Sequence, residues 1–275
     1  MIRKTIRRQV LTAIVAVTAS APTIADDFPK LDGAGPQSID AAWEILTTSP
    51  RFDYGDNSCL PGTGISRDGQ QNRGLKIAGD ITGECRDNWQ ATSNTFHRFV
   101  CKDSGGDRYC AHAYALYFEK DQVTWNTGGH KHDWEHAIVY TKNGNMTHTA
   151  VSAHGDMYTY HKNDFKQDYY GHPLIVYRKD CRGAFTTHAF VHHEEFDGLC
   201  TTVPGGVGWN IPTLVSWWTM TGDTVTNNVM RGRFNQWGWG SANMPINDYN
   251  FLGNVLDDLP GGYPTFNNWD VYVSR

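Results

Sequence analysis

No stretch of the 275-residue chain supplies the roughly 18–20 consecutive apolar residues that a membrane-spanning helix needs. The longest run, Val10–Ala21, falls short. Charge is also scarce: Lys, Arg, Asp and Glu make up 19%, too little for a coiled coil or helical array. The 13% of aromatic residues excludes a disordered polypeptide. There is no C-x-x-C pair, no H-E-x-x-H and no G-x-S-x-G, so zinc–thiolate modules, helical zincins and α/β-hydrolases lack their signatures. What the chain does have is 28 Gly, 10 Trp, 13 Tyr and 12 Phe, the composition of short strands joined by turns around a large core.

Residues 1–25 read as a secretory signal. Arg3, Lys4, Arg7 and Arg8 form a basic segment, Val10–Ala21 an apolar one, and Thr23-Ile24-Ala25 a small-residue cleavage site, with Ala19-Ser20-Ala21 competing. Its removal takes away four basic residues and no acidic one. That leaves 20 basic against 29 acidic residues, a net charge near −9, which argues against a nucleic-acid partner. Six cysteines behind an export signal favour disulfides. Fifteen pairings are open, and the short gaps favour Cys59–Cys85, Cys101–Cys110 and Cys181–Cys200.

Ser38–Thr48 has the pattern of one short helix, with Ser38 as N-cap and Ile39, Ala42, Trp43 and Leu46 on one face. Beyond it, glycine-rich turns separate short runs: Tyr109–Glu119, Trp134–Thr141, Met157–His161, Leu174–Arg178 and Thr187–His192. Asn143-Gly144, between Ala137–Thr141 and Met146–Ser152, is the strongest hairpin signal. Asn145-Met146-Thr147 is a glycosylation sequon at the same turn. With no internal repeat or linker, residues 26–275 read as one mainly β domain, a β-sandwich with peripheral helices.

Ligand-type side chains are densest at Gly128–His136, GGHKHDWEH. On an extended chain Asp133 and Glu135 share a face, about 6.5–7 Å apart at the backbone, close enough to converge on one cation. His130 has the opposite parity and joins them only if Gly129–His132 leaves the strand path, a freedom that Gly128-Gly129 supplies. Carboxylates with one imidazole suit a hard divalent ion: Mg²⁺, Ca²⁺ or Mn²⁺. Asp121, ending the β-like run Tyr117–Asp121, could face this cluster from a second loop. The downstream histidines His154, His172, His188, His192 and His193 carry no such signal singly. Trp209, Trp217, Trp218, Trp237 and Trp239 crowd the last third, where core packing and a membrane interface compete as uses.

Gly129–Glu135, GHKHDWE, resembles the heptapeptide GHRHDWE of the necrosis- and ethylene-inducing-peptide-like proteins, the NLP family of secreted microbial cytolysins. Ala113–Gln122, AYALYFEKDQ, is similar to that family's second signature, an aromatic strand ending in F-x-K-D. Weaker similarity runs through Cys59…Gly74-Leu75-Lys76…Cys85, His172-Pro173-Leu174, Thr187–Phe190 and Ala242–Leu252. Cys101 and Cys110 resemble the branch with a second disulfide, whereas Cys181 and Cys200 go beyond both common patterns. The resemblance implies a sandwich akin to actinoporins and fungal lectins, with one Mg²⁺ or Ca²⁺ ion held in a cleft by Asp121, His130, Asp133, Glu135 and His188, directly or through water. It places His154, and with it Lys131 and His132, beside the ion where a headgroup enters. Lys131 replaces the family's Arg, and the stretch before His188 lacks a tryptophan that some members have.

The activity so implied is recognition of plant glycosylinositol phosphorylceramide headgroups followed by damage to the plasma membrane, by a secreted virulence factor that is a monomer in solution and could assemble on the membrane. No covalent chemistry is required, so no catalytic residue is assigned. Two other classes fit the same residues: a lectin-like binder or immune elicitor without lytic action, and a metal-dependent hydrolase of a sugar or phosphate substrate.

Overall fold

The computed structural model describes residues 25–125, 127–179, 187–193 and 207–275. The signal segment up to residue 24, Cys181 and Cys200 lie outside these. In chain order the elements are α1 (Ile39–Thr48), β1 (Arg51–Tyr54), α2 (Trp89–Thr92), β2 (Asn94–Ser104), β3 (Asp107–Gln122), β4 (Gly129–Lys142), β5 (Asn145–Ala153), β6 (Asp156–His161), β7 (Leu174–Lys179), β8 (His188–His192), β9 (Thr213–Ser216), α3 (Asn227–Gln236), α4 (Phe251–Asp257) and α5 (Asn268–Val273). Six strands form one sheet in the order β6-β5-β4-β3-β2-β9, and three form a second, β1-β7-β8. This is the mainly β, two-sheet architecture that the turn spacing implies.

The large sheet is a middle layer, which explains why its central strands are apolar on both faces. Ala111, Ala113, Ala115 and Tyr117 of β3 join Ile138 and Tyr140 of β4 in one core, with Phe234, Met244, Ile246 and Phe251 from the C-terminal third. Tyr114, Leu116 and Phe118 alternate with them. They face a second core, where Ala137 and Val139 meet Phe52, Tyr54, Ile175, Tyr177 and Phe190 of the small sheet. Phe118 and Tyr177 stack across that interface with centroids 3.7 Å apart. The parity that puts Ala137 and Val139 against the small sheet puts Asp133 and Glu135 there too, at the end where the two sheets part.

The Asn143-Gly144 turn closes the β4–β5 hairpin with both residues at positive φ, 51° and 75°, as a type I′ turn requires. Cys59–Cys85 and Cys101–Cys110 are bonded. The aromatic C-terminal third is mostly core: Trp217 and Trp239 are buried, whereas Trp209 is exposed. One helix departs from its pattern. Ser38 caps α1 by accepting from the Ala41 N–H, but Ile39, Trp43 and Leu46 are 85%, 65% and 68% exposed, and Glu44 is buried at 3%. The apolar face that would ordinarily meet the core points to solvent. The reason is local: Glu44 is bound from beneath by His112 and Thr141.

Candidate functional site

A cavity of about 510 Å³ opens where β3, β4 and β8 end together. Asp121, His130, Asp133, Glu135 and His188 line one side, Ser152, His154, Gly155 and Thr187 a second, and Ser241–Asn243, Pro245, Asn250 and Asn254 a third. Four of these residues come from β3 and β4, whose register sets Asp121 opposite His130 and Phe118 opposite Asp133.

The chain leaves the strand path here, as joining His130 to the carboxylates requires. Gly129 has φ +101°, and a Cβ there would lie 2.0 Å from the Asp121 carbonyl oxygen, so only glycine lets β3 and β4 close this tightly. His132 has φ +59°. Its carbonyl accepts from His130 Nδ1 at 2.7 Å, which fixes the proton on Nδ1 and leaves Nε2 as a bare donor atom, 4.0 Å from Asp121 Oδ2.

Three carboxylates meet in this space: Asp121 is 1% exposed, Asp133 5% and Glu135 7%. Burial, then repulsion from Asp121, pushes Asp133 up to about 7. Burial and the neighbouring Asp133 push Glu135 well above the usual carboxylate range. Hydrogen bonds relieve this only in part: Tyr177 donates to Asp133 Oδ2 at 2.7 Å, and the Ser152 hydroxyl donates to Glu135. Excess buried negative charge with one free imidazole nitrogen is the kind of donor chemistry a hard divalent cation takes, although among the described residues no three donor atoms of the cleft lie within 4.8 Å of one another.

His188 plays a different part from His130. Its Nε2 donates to the Asn57 carbonyl at 2.9 Å, its Nδ1 lies 2.5 Å from Asp121 Oδ1, and its backbone N–H donates to Asp121 Oδ2 at 2.9 Å. With both ring nitrogens engaged it holds Asp121 in place and presents no nitrogen of its own. His154 faces the cavity from across it, φ +56°, with Nδ1 3.1 Å from the Thr187 hydroxyl.

Lys131 and His132 are not among the cavity-lining residues. The positive φ turns the His132 ring away into the first core, where it bonds Tyr117 Oη at 2.7 Å and packs edge-on to Trp239. Lys131 is exposed. Sequence reasoning missed the third wall. Asn250 and Asn254 donate to the Met244 and Pro245 carbonyls, and the sequence signals for them are the density of Asn between 243 and 254 and the weak family resemblance of Ala242–Leu252. His136, also missed, lines the cavity with a ring that burial holds neutral, pushed down to about 3.

A second group of metal-type donors stands apart: among the described residues, the donor atoms of Glu44, Cys110 and His112 lie within 4.8 Å of one another.

The family model described as necrosis inducing protein (NPP1) matches residues 44–257. NLP effector protein Pc107869 of Phytophthora capsici is 28% identical over 204 residues, 71% of this chain. The chain spans 51% of the length of that relative. NLP effector protein 2 of Plasmopara viticola is 25% identical over 209 residues, 74% of this chain and 82% of that one. Among solved structures, NLPPya in complex with mannosamine superposes with TM-score 0.65 at 22% identity, covering 86% of this chain and 98% of the other. The non-toxic HaNLP3 protein superposes with TM-score 0.67 at 20% identity, covering 86% and 100%. Shared fold therefore does not by itself carry toxicity.

Proposed function

The chain belongs to the necrosis inducing protein (NPP1) family, and from that premise we propose that it is exported through residues 1–25 and that its 26–275 domain acts as a non-catalytic cytolysin. Its cleft would take the sugar headgroup of a plant glycosylinositol phosphorylceramide around one Mg²⁺ or Ca²⁺ ion, with Mn²⁺ a further candidate. The observation that carries this reading is the three buried carboxylates beside His130 Nε2 at the foot of an open cavity. A divalent ion bound there would cancel the carboxylate repulsion and offer open coordination positions to hydroxyls.

The chain's own residues supply the rest. Asp121, Asp133 and Glu135 would hold the ion, with His130 completing the set. His188 orients Asp121 from behind, the role that second-shell partners play at metal sites. His154 and the Asn-rich third wall supply hydrogen-bonding groups across the cavity, matching a ring of sugar hydroxyls. That NLPPya forms complexes with mannosamine and with glucosamine supports a sugar as ligand. Trp125, 64% exposed in the loop between β3 and β4, stands at the same end of the sheet, where an indole suits a lipid interface. The acidic net charge opposes an anionic membrane only within the Debye length, about 8 Å at physiological salt, so headgroup contacts in the cleft have to supply the affinity.

Dye release from vesicles tests this. Vesicles containing plant glycosylinositol phosphorylceramide should leak with cation present and stop leaking with chelator, while phosphatidylcholine vesicles stay intact. Binding without leakage would make the protein a lectin-like binder. Turnover of soluble headgroup would make it a hydrolase. Neither binding nor leakage on any vesicle would defeat the proposal.

A further inference from the structure

At the other end of β3 from the cleft, eleven residues or about 36 Å along the strand, the second donor group is built into the protein beneath α1. Cys110 and Cys101 are cross-strand partners joined as a disulfide. Cys110 is fully buried, whereas Cys101 is partly exposed. Cys110 Sγ lies 3.8 Å from Glu44 Oε1, and His112 Nε2 lies 3.1 Å from Glu44 Oε2. Ligands of a tetrahedral zinc ion stand about 3.3–3.8 Å apart, given zinc–ligand bonds of about 2.0–2.3 Å. The donors are therefore already near ligand spacing.

The surroundings are those of a supported metal site. Thr141 donates to Glu44 Oε2 at 2.5 Å. His112 Nδ1 is 3.1 Å from His97 Nε2, and His97 Nδ1 is 3.3 Å from the Ser216 hydroxyl. Without metal the chain runs Ser216 to His97 to His112 to Glu44, each donating to the next. Because the serine hydroxyl both donates and accepts, the same protons can run the other way. His112 then donates through Nδ1 to His97, His97 donates to Ser216, and His112 Nε2 becomes a bare nitrogen aimed at the cluster. Metal-ligating histidines are oriented by such a partner on their second nitrogen.

We propose that this cluster is a redox-gated zinc site, closed while Cys101 and Cys110 are bonded and opened when an external thiol reductant cleaves them. In that step two reductant thiols are oxidised to their disulfide. Their two electrons and two protons convert the 101–110 bond to two Cys thiols, and zinc then displaces the Cys110 thiol proton to solvent. The protein ligands are the Cys110 thiolate, the His112 imidazole and the Glu44 carboxylate, with the fourth position left to water or the Cys101 side chain. Cys101, the less buried of the two cysteines, is where a thiol attacks first. In either redox state Glu44 keeps a partner, so α1 stays seated with its apolar face outward. This inference is independent of the cleft and its ligand.

Cobalt, a spectroscopic stand-in for zinc, tests it. In the mature chain carrying Cys101→Ser, Cys110 is a free thiol without any reductant and Cys59–Cys85 remains intact. This variant should bind one Co²⁺ with a thiolate-to-cobalt charge-transfer band that Zn²⁺ abolishes. The band should be lost on adding His112→Gln, and weakened or lost on adding Glu44→Gln, an isosteric change that should leave the fold in place. Asp133→Ala, which disables only the cleft, should leave it unchanged. Wild-type protein should show the band after reduction on an immobilised dithiol under nitrogen, and not before. A Cys101→Ser chain without sulfur-ligated cobalt, or a band that survives both second substitutions, overturns the proposal.

Discussion

Replacing Asp133 by Asn should stabilise the cation-free protein and abolish its response to cation. Ionising Asp133 in place is resisted by burial and by Asp121, which moves its pKa from 3.8 to about 7. A rise of about 3 pH units at about 1.4 kcal/mol each is a cost of about 4 kcal/mol. Because the folded-state value is raised, the cost is absent below pH 4, where the carboxyl is protonated in both states. It grows as pH climbs and is complete above about 7. Asn removes the charge, but its NH₂ either meets the Trp134 backbone N–H or forces the Tyr177 hydroxyl to accept and lose its own acceptor, since both groups now donate to Asp133. That mismatch returns about 1–3 kcal/mol. The net gain at pH 8 in chelator is about 2 kcal/mol, or about 4–8 °C in Tm for a chain of this size. At pH 4, where only the mismatch remains, the variant should melt below wild type. Adding Mg²⁺ or Ca²⁺ at pH 8 should raise Tm in wild type and not in the variant. Thermal melts at the two pH values, with chelator and with cation, decide it. A variant that is no more stable at pH 8, or whose Tm still climbs with cation like the wild type's, would refute the assignment of Asp133 to a charge-stressed cation site.

Three other outcomes follow from the same structure. Cation affinity should fall as pH drops through about 7, with protons released on binding, because Asp133 and Glu135 must ionise to bind; calorimetry in buffers of different ionisation enthalpy reads this directly. Gly129→Ala should lower Tm and weaken cation binding together, since its Cβ would meet the Asp121 carbonyl oxygen at 2.0 Å; an unchanged melt would show that the β3–β4 crossing has room to spare. Trp125→Ala should reduce leakage of sphingolipid vesicles without moving Tm, as its ring is 64% exposed; equal leakage would remove it from the membrane face.

Legibility in the sequence followed how a strand meets its neighbours. The runs that became β3 to β8 stood out through aromatic density, Gly turns and the Asn-Gly hairpin. β2 did not, because burial on both faces removes alternation and because it carries His97 and Arg98 at 0% and 3% exposure. β1 and β9, four residues each, are too short to show a period. In α3, NNVMRGRFNQ, only Met230 and Phe234 are buried, one apolar pair four residues apart among polar ones. At the site, Asp133 and Glu135 were readable from strand parity and His130 from the two glycines before it. His132 defied parity because its own positive φ, which sequence does not announce for a histidine, is the device that turns His130 around. The Asn wall was hidden for a different reason: its residues reach the cleft from the C-terminal segment, a long-range contact without local periodicity.

The two clusters of donors sit at opposite ends of the same strand, and the contrast between them is a matter of relief. Around the cleft, Asp133 and Glu135 are held above the usual carboxylate range, so neutral pH leaves uncompensated charge that a cation can relieve. Beneath α1, Glu44 is buried at 3% yet held below the usual carboxylate range, because against the burial that would raise it stand the hydrogen bonds from His112 and Thr141. A carboxylate so satisfied has no call for a hard cation. Only a softer ion arriving with freed thiolates could compete with the imidazole. On the two proposals, charge stress would direct a hard ion to the cleft, and the disulfide would keep the far end of β3 closed to metal until it is reduced.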